Sequence, residues 1–361
     1  MPVGLLWSSV SYPLKIWSLS LKKFTKKQRI YIYQFCGDMI KAGLPLYDSL
    51  NKLQTEGQAL LGKGFSQKLL LLITQMKQET SVSAVFTGAV PTTELSLITA
   101  AEKSGSLAEG FFTLVSIIKY HDELRKKIIS ALTFPLIMIS LSLVVIAGYA
   151  EKVFPAFASV LPVERWPGIT QSLYHFGEAL YEGLWLKIVI SFICIVLLTK
   201  FAMANLNGAL RNRALDKILP FSTYRQLTSS VFLNNLSLML SNNIPLTDAI
   251  VIVQSNANRW LRWHLDTMLG KMAQGLNYGK ALDSGLLGVE ELLNISLYAD
   301  LPSFNEVLLS VSERSREHIH EYIKKLAAFL KNMATLTLGG CVIWVFLGLF
   351  ALMDTLSKAT G

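Results

Sequence analysis

The sequence predicts an all-α membrane protein: two repeated cytoplasmic helical bundles of about six helices each, with three transmembrane helices. The first sign is a repeat. Met39-Ile40-Lys41-Ala42-Gly43-Leu44-Pro45-Leu46-Tyr47-Asp48 recurs 200 positions later as Met239-Leu240-Ser241-Asn242-Asn243-Ile244-Pro245-Leu246-Thr247-Asp248. The second is a set of apolar windows with the roughly 20 residues needed to cross about 30 Å of hydrocarbon. The third is the near absence of alternating, turn-bounded runs of Val and Thr that would mark strands. With 361 residues, 52% apolar and 16% charged, the chain is too apolar for an ordinary soluble protein and too charged for a many-helix transporter.

Residues 1–24 place Leu5, Leu6, Trp7, Val10, Leu14, Trp17 and Leu21 ahead of Lys22, Lys23, Lys26, Lys27 and Arg29. This pattern suits an amphipathic arm lying on anionic membrane lipid, or equally one packed on the soluble part or a partner. Pro13 and Lys15 interrupt its apolar run, so a cleavable signal peptide is not expected. Residues 25–127 form the first helical repeat. Thr25 is its N-cap, and Ile32, Phe35, Cys36, Met39 and Ile40 follow the i, i+3, i+4, i+7 pattern of a buried helix face. Gly43 then stops the helix and Pro45 restarts the chain; Asn243 and Pro245 do the same in the copy. Further on, the offset becomes 197 and pairs Gly88 with Gly285, Glu94 with Glu291, His121 with His318 and Lys127 with Lys324.

Spans are expected at residues 128–150, 183–203 and 332–353, with a loop at 151–182, the second repeat at 204–331 and a short tail at 354–361. Pro135 in the first span should kink or restart its helix, and Gly339, Gly340 and Gly348 in the third allow close helix contact. Before the first span 16 basic residues face 9 acidic ones, and residues 200–331 hold 14 against 11, whereas residues 151–182 hold 2 against 4. The positive-inside rule therefore puts the N-terminus and both repeats in the cytoplasm and the loop and C-terminus outside. The formal net charge of +9 is a topology signal. No basic helix interleaved with aromatics stands out to support nucleic-acid binding.

No catalytic constellation emerges, and neither a cofactor nor a metal is expected. Cys36, Cys194 and Cys341 match no metal spacing and read as inert packing residues. The five histidines fit no HExxH pattern; His318 and His320, two apart on a helix, read as solvated surface. Between their flanking charges the first and third spans carry no charged residue, which argues against a transporter or channel subunit. The most suggestive polar stretch is Ala101-Glu102-Lys103-Ser104-Gly105-Ser106-Leu107. A glycine C-cap followed by a serine N-cap explains the turn, but the turn itself does not require Glu102.

These residues together resemble the type II secretion F family, the inner-membrane platform proteins of type IV pilus and type II secretion machines. The resemblance rests on the Met39-to-Leu46 and Met239-to-Leu246 turns, the Glu102-to-Leu107 turn, Phe134-Pro135 ahead of the first span, and Phe154-Pro155-Ala156-Phe157 and Leu161-Pro162 beyond it. Within the family the chain is most similar to the platform of the type IVb thin pilus of conjugative plasmids. The resemblance implies a non-enzymatic scaffold. Its partners would be a cytoplasmic pilus assembly ATPase, pilin, other inner-membrane pilus assembly proteins and further copies of itself. A type II secretion pseudopilus platform is the alternative within the family. The motif residues it singles out as structural or partner-binding are Met39, Gly43, Pro45, Glu102, Gly105, Pro135, Met239 and Pro245. The chain departs from the family at Ala101, where glycine is usual, and at Tyr298-Ala299-Asp300-Leu301-Pro302-Ser303, where the second copy lacks both the glutamate and the glycine. The resemblance thus expects two similar halves with unequal duties.

Overall fold

The computed structural model describes residues 23–57, 62–207, 211, 215–299, 301 and 304–360. The expected surface arm lies outside the described residues except for its last two positions, and so do Asp300, Pro302 and Ser303 of the second-copy turn. Every regular element among the described residues is helical. Three helices are long and apolar enough to cross a membrane. The chain divides into two compact units, residues 1–114 and 115–361.

The first unit holds α1 (Lys26–Lys41), α2 (Leu46–Glu56), α3 (Lys63–Met76), α4 (Val82–Val85), α5 (Thr92–Lys103) and the first turns of α6 (Leu107–Lys152). Thr25 caps α1 as expected: its hydroxyl accepts from Gln28 N and the Gln28 side chain accepts from Thr25 N, a reciprocal capping box. The buried face of α1 presents Ile32, Tyr33 and Cys36. Tyr33 stacks on Phe111 at 5.6 Å and meets Phe86 at 6.0 Å, and each of these three rings is almost fully buried. Burying one such ring contributes roughly 1.5–3 kcal/mol. Gly110, in the first turns of α6, lies so close to α5 that any side chain there would overlap the Ala101 methyl. Ala101 thus occupies the space that Gly110 leaves open.

In the second unit α6 continues without interruption through Pro135 to Lys152. The expected restart at Pro135 does not occur. The ring removes one backbone donor, yet a long helix whose neighbouring turns keep their bonds carries one such gap. The segment 151–182, expected as the connection between the first two spans, is largely helical. It folds into α7 (Phe154–Ala158), a 3₁₀ turn at Val163–Arg165 and α8 (Gly168–Ala179). These elements share a core with the far ends of two long helices: Ile146, Ala150, Phe154, Trp166, Leu173, Val345 and Leu352 are all buried together. Thr170 Oγ1 donates to the Gly348 carbonyl at 2.7 Å, and a Cβ at Gly348 would stand 3.0 Å from Leu173. The expectation of close contact holds for Gly348, whereas Gly339 and Gly340 have nothing near them.

After a π turn at Leu180–Leu184, in which Gly183 adopts φ +113°, α9 runs from Trp185 to Asn205 without a single buried residue. A helix this apolar with no buried residue is stable only where its surroundings are themselves apolar. Its last carbonyls are nonetheless held: Arg211, 2% exposed, donates Nη1–H to the Met203 and Leu206 carbonyls, stacks 4.2 Å above Trp260 and pairs with Asp216. The remaining helices are α10 (Phe221–Ser241), α11 (Leu246–Gln254), α12 (Arg259–Ala273), α13 (Tyr278–Ala281), α14 (Val289–Tyr298) and α15 (Phe304–Thr360). Their order and relative lengths follow those of α1 to α6. The paired glycines Gly88 and Gly285 adopt φ +79° and +83°.

The cysteines divide. Cys36 is buried and its thiol is pushed up by desolvation, as packing predicts. Cys341 is half-buried, and Cys194 on α9 is exposed, because it lies in a stretch of that helix whose residues are all exposed. His264, one of five histidines with no evident motif, proves to be core. It is fully buried between Trp260 and Trp263, and its Nδ1 lies 2.9 Å from the Ser284 carbonyl.

Candidate functional site

The singled-out residues fall into separate places rather than one. Met39, Gly43 and Pro45 build one exposed turn. Gly43 N donates to Ile40 O, and Leu44 N to Met39 O, with Gly43 at φ +73°. The copy repeats the geometry bond for bond: Asn243 N donates to Leu240 O, Ile244 N to Met239 O, and Asn243 sits at φ +59°. Asn serves there because its short polar side chain tolerates the left-handed region. Nothing lies near a Cβ placed on Gly43, so the glycine is required for its φ alone. Pro45 and Pro245 start the following helices.

Glu102 has a partner that periodicity did not reveal. Its carboxylate accepts from Val82 N at 2.6 Å and Ser83 N at 3.0 Å, closing the N-terminus of α4 from across the unit. Partial burial pushes its carboxyl up, but the bonds from Ser83 and Val82 outweigh this and hold it below the usual range. Gly105 follows at φ +71°, with Ser106 N donating to Ala101 O. Register puts Ala299 at the place of Glu102 in the copy. Replacing Glu102 with alanine should cost about 1 kcal/mol at neutral pH. Because its folded pKa is depressed, that contribution is present above the ordinary carboxylate range and disappears on acidification, which thermal unfolding of the solubilised protein at two pH values would show.

Glu94 and Glu291 share a register position but not an environment. Glu94 accepts from Tyr33 Oη at 2.8 Å and lies 2.8 Å from Arg29 Nε, with side-chain exposures of 12% and 16% for the ion pair. Burial raises the Glu94 carboxyl, with Tyr33 and Arg29 opposing the shift. At the corresponding positions of α10 stand Ser229 and Leu233. Glu291 instead lines an open cleft of about 250 Å³ with Arg225, Ser229 and His318, and the buried Ser229 hydroxyl there has no hydrogen-bond partner among the described residues.

Two surface features complete the picture. On α14, Val289, Leu293 and Leu297 are 87%, 58% and 66% exposed, an apolar stripe at i, i+4, i+8. The register places Thr92, Ser96 and Ala100 at these positions in the first copy. Where α6 and α15 run side by side toward their apolar stretches, Lys127 Nζ reaches Glu123 at 2.8 Å and His320 Nδ1 at 3.1 Å. Burial and Lys127 hold His320 below its ordinary value, which leaves Nδ1 free to accept. His318 is solvated as expected; His320 is half-buried between two helices, because a residue's face on α15 is set by the neighbouring α6. No cluster of three or more potential metal ligands occurs among the described residues.

A family profile described as type II secretion system (T2SS), protein F, matches residues 32–155 and 232–352, the two copies of the repeat. The chain is 38% identical over 339 residues to the toxin coregulated pilus biosynthesis protein E of Vibrio cholerae, covering 94% of this chain and 100% of that protein. It is 23% identical to the type IV pilus assembly protein PilC of Myxococcus xanthus over 91% of this chain and 80% of that one. It is also 23% identical to PilC of Pseudomonas aeruginosa over 87% of each.

Proposed function

We infer the role of this chain from one premise: it belongs to the type II secretion system protein F family. It is an inner-membrane platform of a type IV pilus assembly machine, a scaffold and not an enzyme. Its two helical repeats face the cytoplasm and couple an assembly ATPase to pilin subunits leaving the membrane. The C-terminus is periplasmic, in keeping with the excess of basic residues in both repeats. A pilus is favoured over a secretion pseudopilus by the full-length identity with a pilus biosynthesis protein.

The observation that carries the mechanical reading is α15. It is one unbroken helix of 57 residues, about 85 Å long at roughly 1.5 Å per residue, that starts in polar sequence and ends in an apolar span. A displacement applied to its polar half is passed to its membrane half without an intervening hinge. The α14 stripe supplies the docking face, being apolar and outside the spans.

Full-length tagged protein should retain the assembly ATPase of its own machine. Leu293→Asp with Leu297→Asp should lower retention at least tenfold while leaving the amount of inserted protein unchanged. Undiminished retention by the double variant would exclude α14 as the docking face, and no retention by the wild-type chain would exclude the ATPase coupling.

A further inference from the structure

Between α6 and α15, at the level where both become apolar, lies a groove of about 370 Å³, within the range that holds small ligands. Lys127, Lys324 and Lys331 rim it, and Phe134, Pro135 and Ile323 wall it. Lys127 directly precedes the first apolar window and Lys331 the third. Lys331 Nζ lies 5.5 Å from the centroid of the Phe134 ring, so cation and apolar wall are in contact. Lys127 is shared between Glu123 and His320, but no carboxylate pairs with Lys324 or Lys331 among the described residues. No acidic residue lines the groove.

We propose that this groove binds an anionic phospholipid, its phosphate held by Lys324 with Lys331 reaching back toward it, and its acyl chain laid along Phe134 and Pro135. The sign of the charge selects an anion, and the order of the chemistry selects the lipid. Lys127 and Lys324 stand at the polar end, Lys331 lies about two turns further along α15 beside Phe134, and the wall is apolar and continuous with the apolar windows. A soluble phosphate would have no use for that wall, and a zwitterionic lipid would gain little from two unpaired ammonium groups. Lysines at such a depth extend their charged ends toward the headgroup layer while their methylenes cover apolar surface. The inference stands apart from the ATPase coupling, since it needs only the spans and the groove.

Full-length protein in neutral detergent would be titrated with phosphatidylglycerol in mixed micelles, with phosphatidylcholine and sn-glycerol 3-phosphate as parallel ligands, and binding read by native mass spectrometry. Phosphatidylglycerol is expected to bind at least tenfold more tightly than phosphatidylcholine. That preference should be lost in Lys324→Gln/Lys331→Gln, be kept in Lys324→Arg/Lys331→Arg, and weaken as salt is raised. Ala328→Trp, which fills the groove without touching its charge, should abolish binding. Equal binding of the two lipids, an unchanged preference in the glutamine variant, or competition by sn-glycerol 3-phosphate at equal concentration would each overturn the proposal.

Discussion

Glu94→Ala is expected to destabilise the first unit by about 2–3 kcal/mol, whereas Glu291→Ala should cost less than about 1 kcal/mol. Register makes these the same residue, so the difference tests the environment and not the repeat. Removing Glu94 leaves the Arg29 guanidinium at 16% exposure facing the Tyr33 hydroxyl, with one remaining bond from its Nη1 to the Phe24 carbonyl. A fully buried pair broken on one side costs roughly 3–5 kcal/mol; residual contact with water lowers that figure here. Glu291 lines an open cleft and has no such ion pair among the described residues, Ser229 and Leu233 standing where Arg29 and Tyr33 do in the first copy. Thermal unfolding of the two detergent-solubilised variants, followed by fluorescence, would decide it. Equal shifts would mean that the ion pair contributes nothing beyond what any glutamate at this position does.

The second unit should lose stability on acidification through His264. Burial, with Arg211 and Arg225 adding to it against the Ser284 carbonyl, brings this imidazole down to about 4. Above pH about 6.5 both folded and unfolded chains hold it neutral, and stability is full. As pH falls from about 6.5 toward 4, only the unfolded chain takes the proton, so stability drops progressively, by on the order of 3 kcal/mol across the window. Below about 4 both states are charged and the loss is complete. His264→Asn keeps a donor toward the Ser284 carbonyl but cannot titrate. The difference in unfolding temperature between wild type and variant should therefore narrow as the pH is lowered from 7.5 to 4.5. A difference that stays constant with pH would remove His264 as the source.

Much of the fold was legible because local rules decide it. The caps at Thr25, Gly43 and Asn243 follow from which residues satisfy a helix end or tolerate positive φ, and each is found in place. Three spans follow from length and composition, although the middle helix starts at Trp185, two residues after the expected boundary, because Gly183 takes a positive φ before it. Pro135 shows the limit of such rules. A proline signals one missing bond, and whether a helix of 46 residues breaks there depends on everything around it.

The candidate residues divide in the same way. Gly43, Pro45, Pro245 and Gly105 act through their own backbone, so sequence identifies them. Glu102 acts on Val82 and Ser83, twenty positions back, and its role has no signature in spacing. The α14 stripe was present in the sequence as Val289, Leu293 and Leu297 at helical spacing, but the same pattern marks a buried face just as well.

By itself, then, the sequence determined the helical class, the three helices long and apolar enough to cross a membrane, and the turns that separate the helices, since each depends on neighbours within a few residues. Only the tertiary structure decided which repeated residues are equivalent in environment, that residues 154–179 pack against the far ends of the apolar stretches of α6 and α15, and that Lys127, Lys324 and Lys331 surround one groove. Those outcomes depend on burial and on partners distant in the chain, and burial is a property of the assembled helices that no single helix carries.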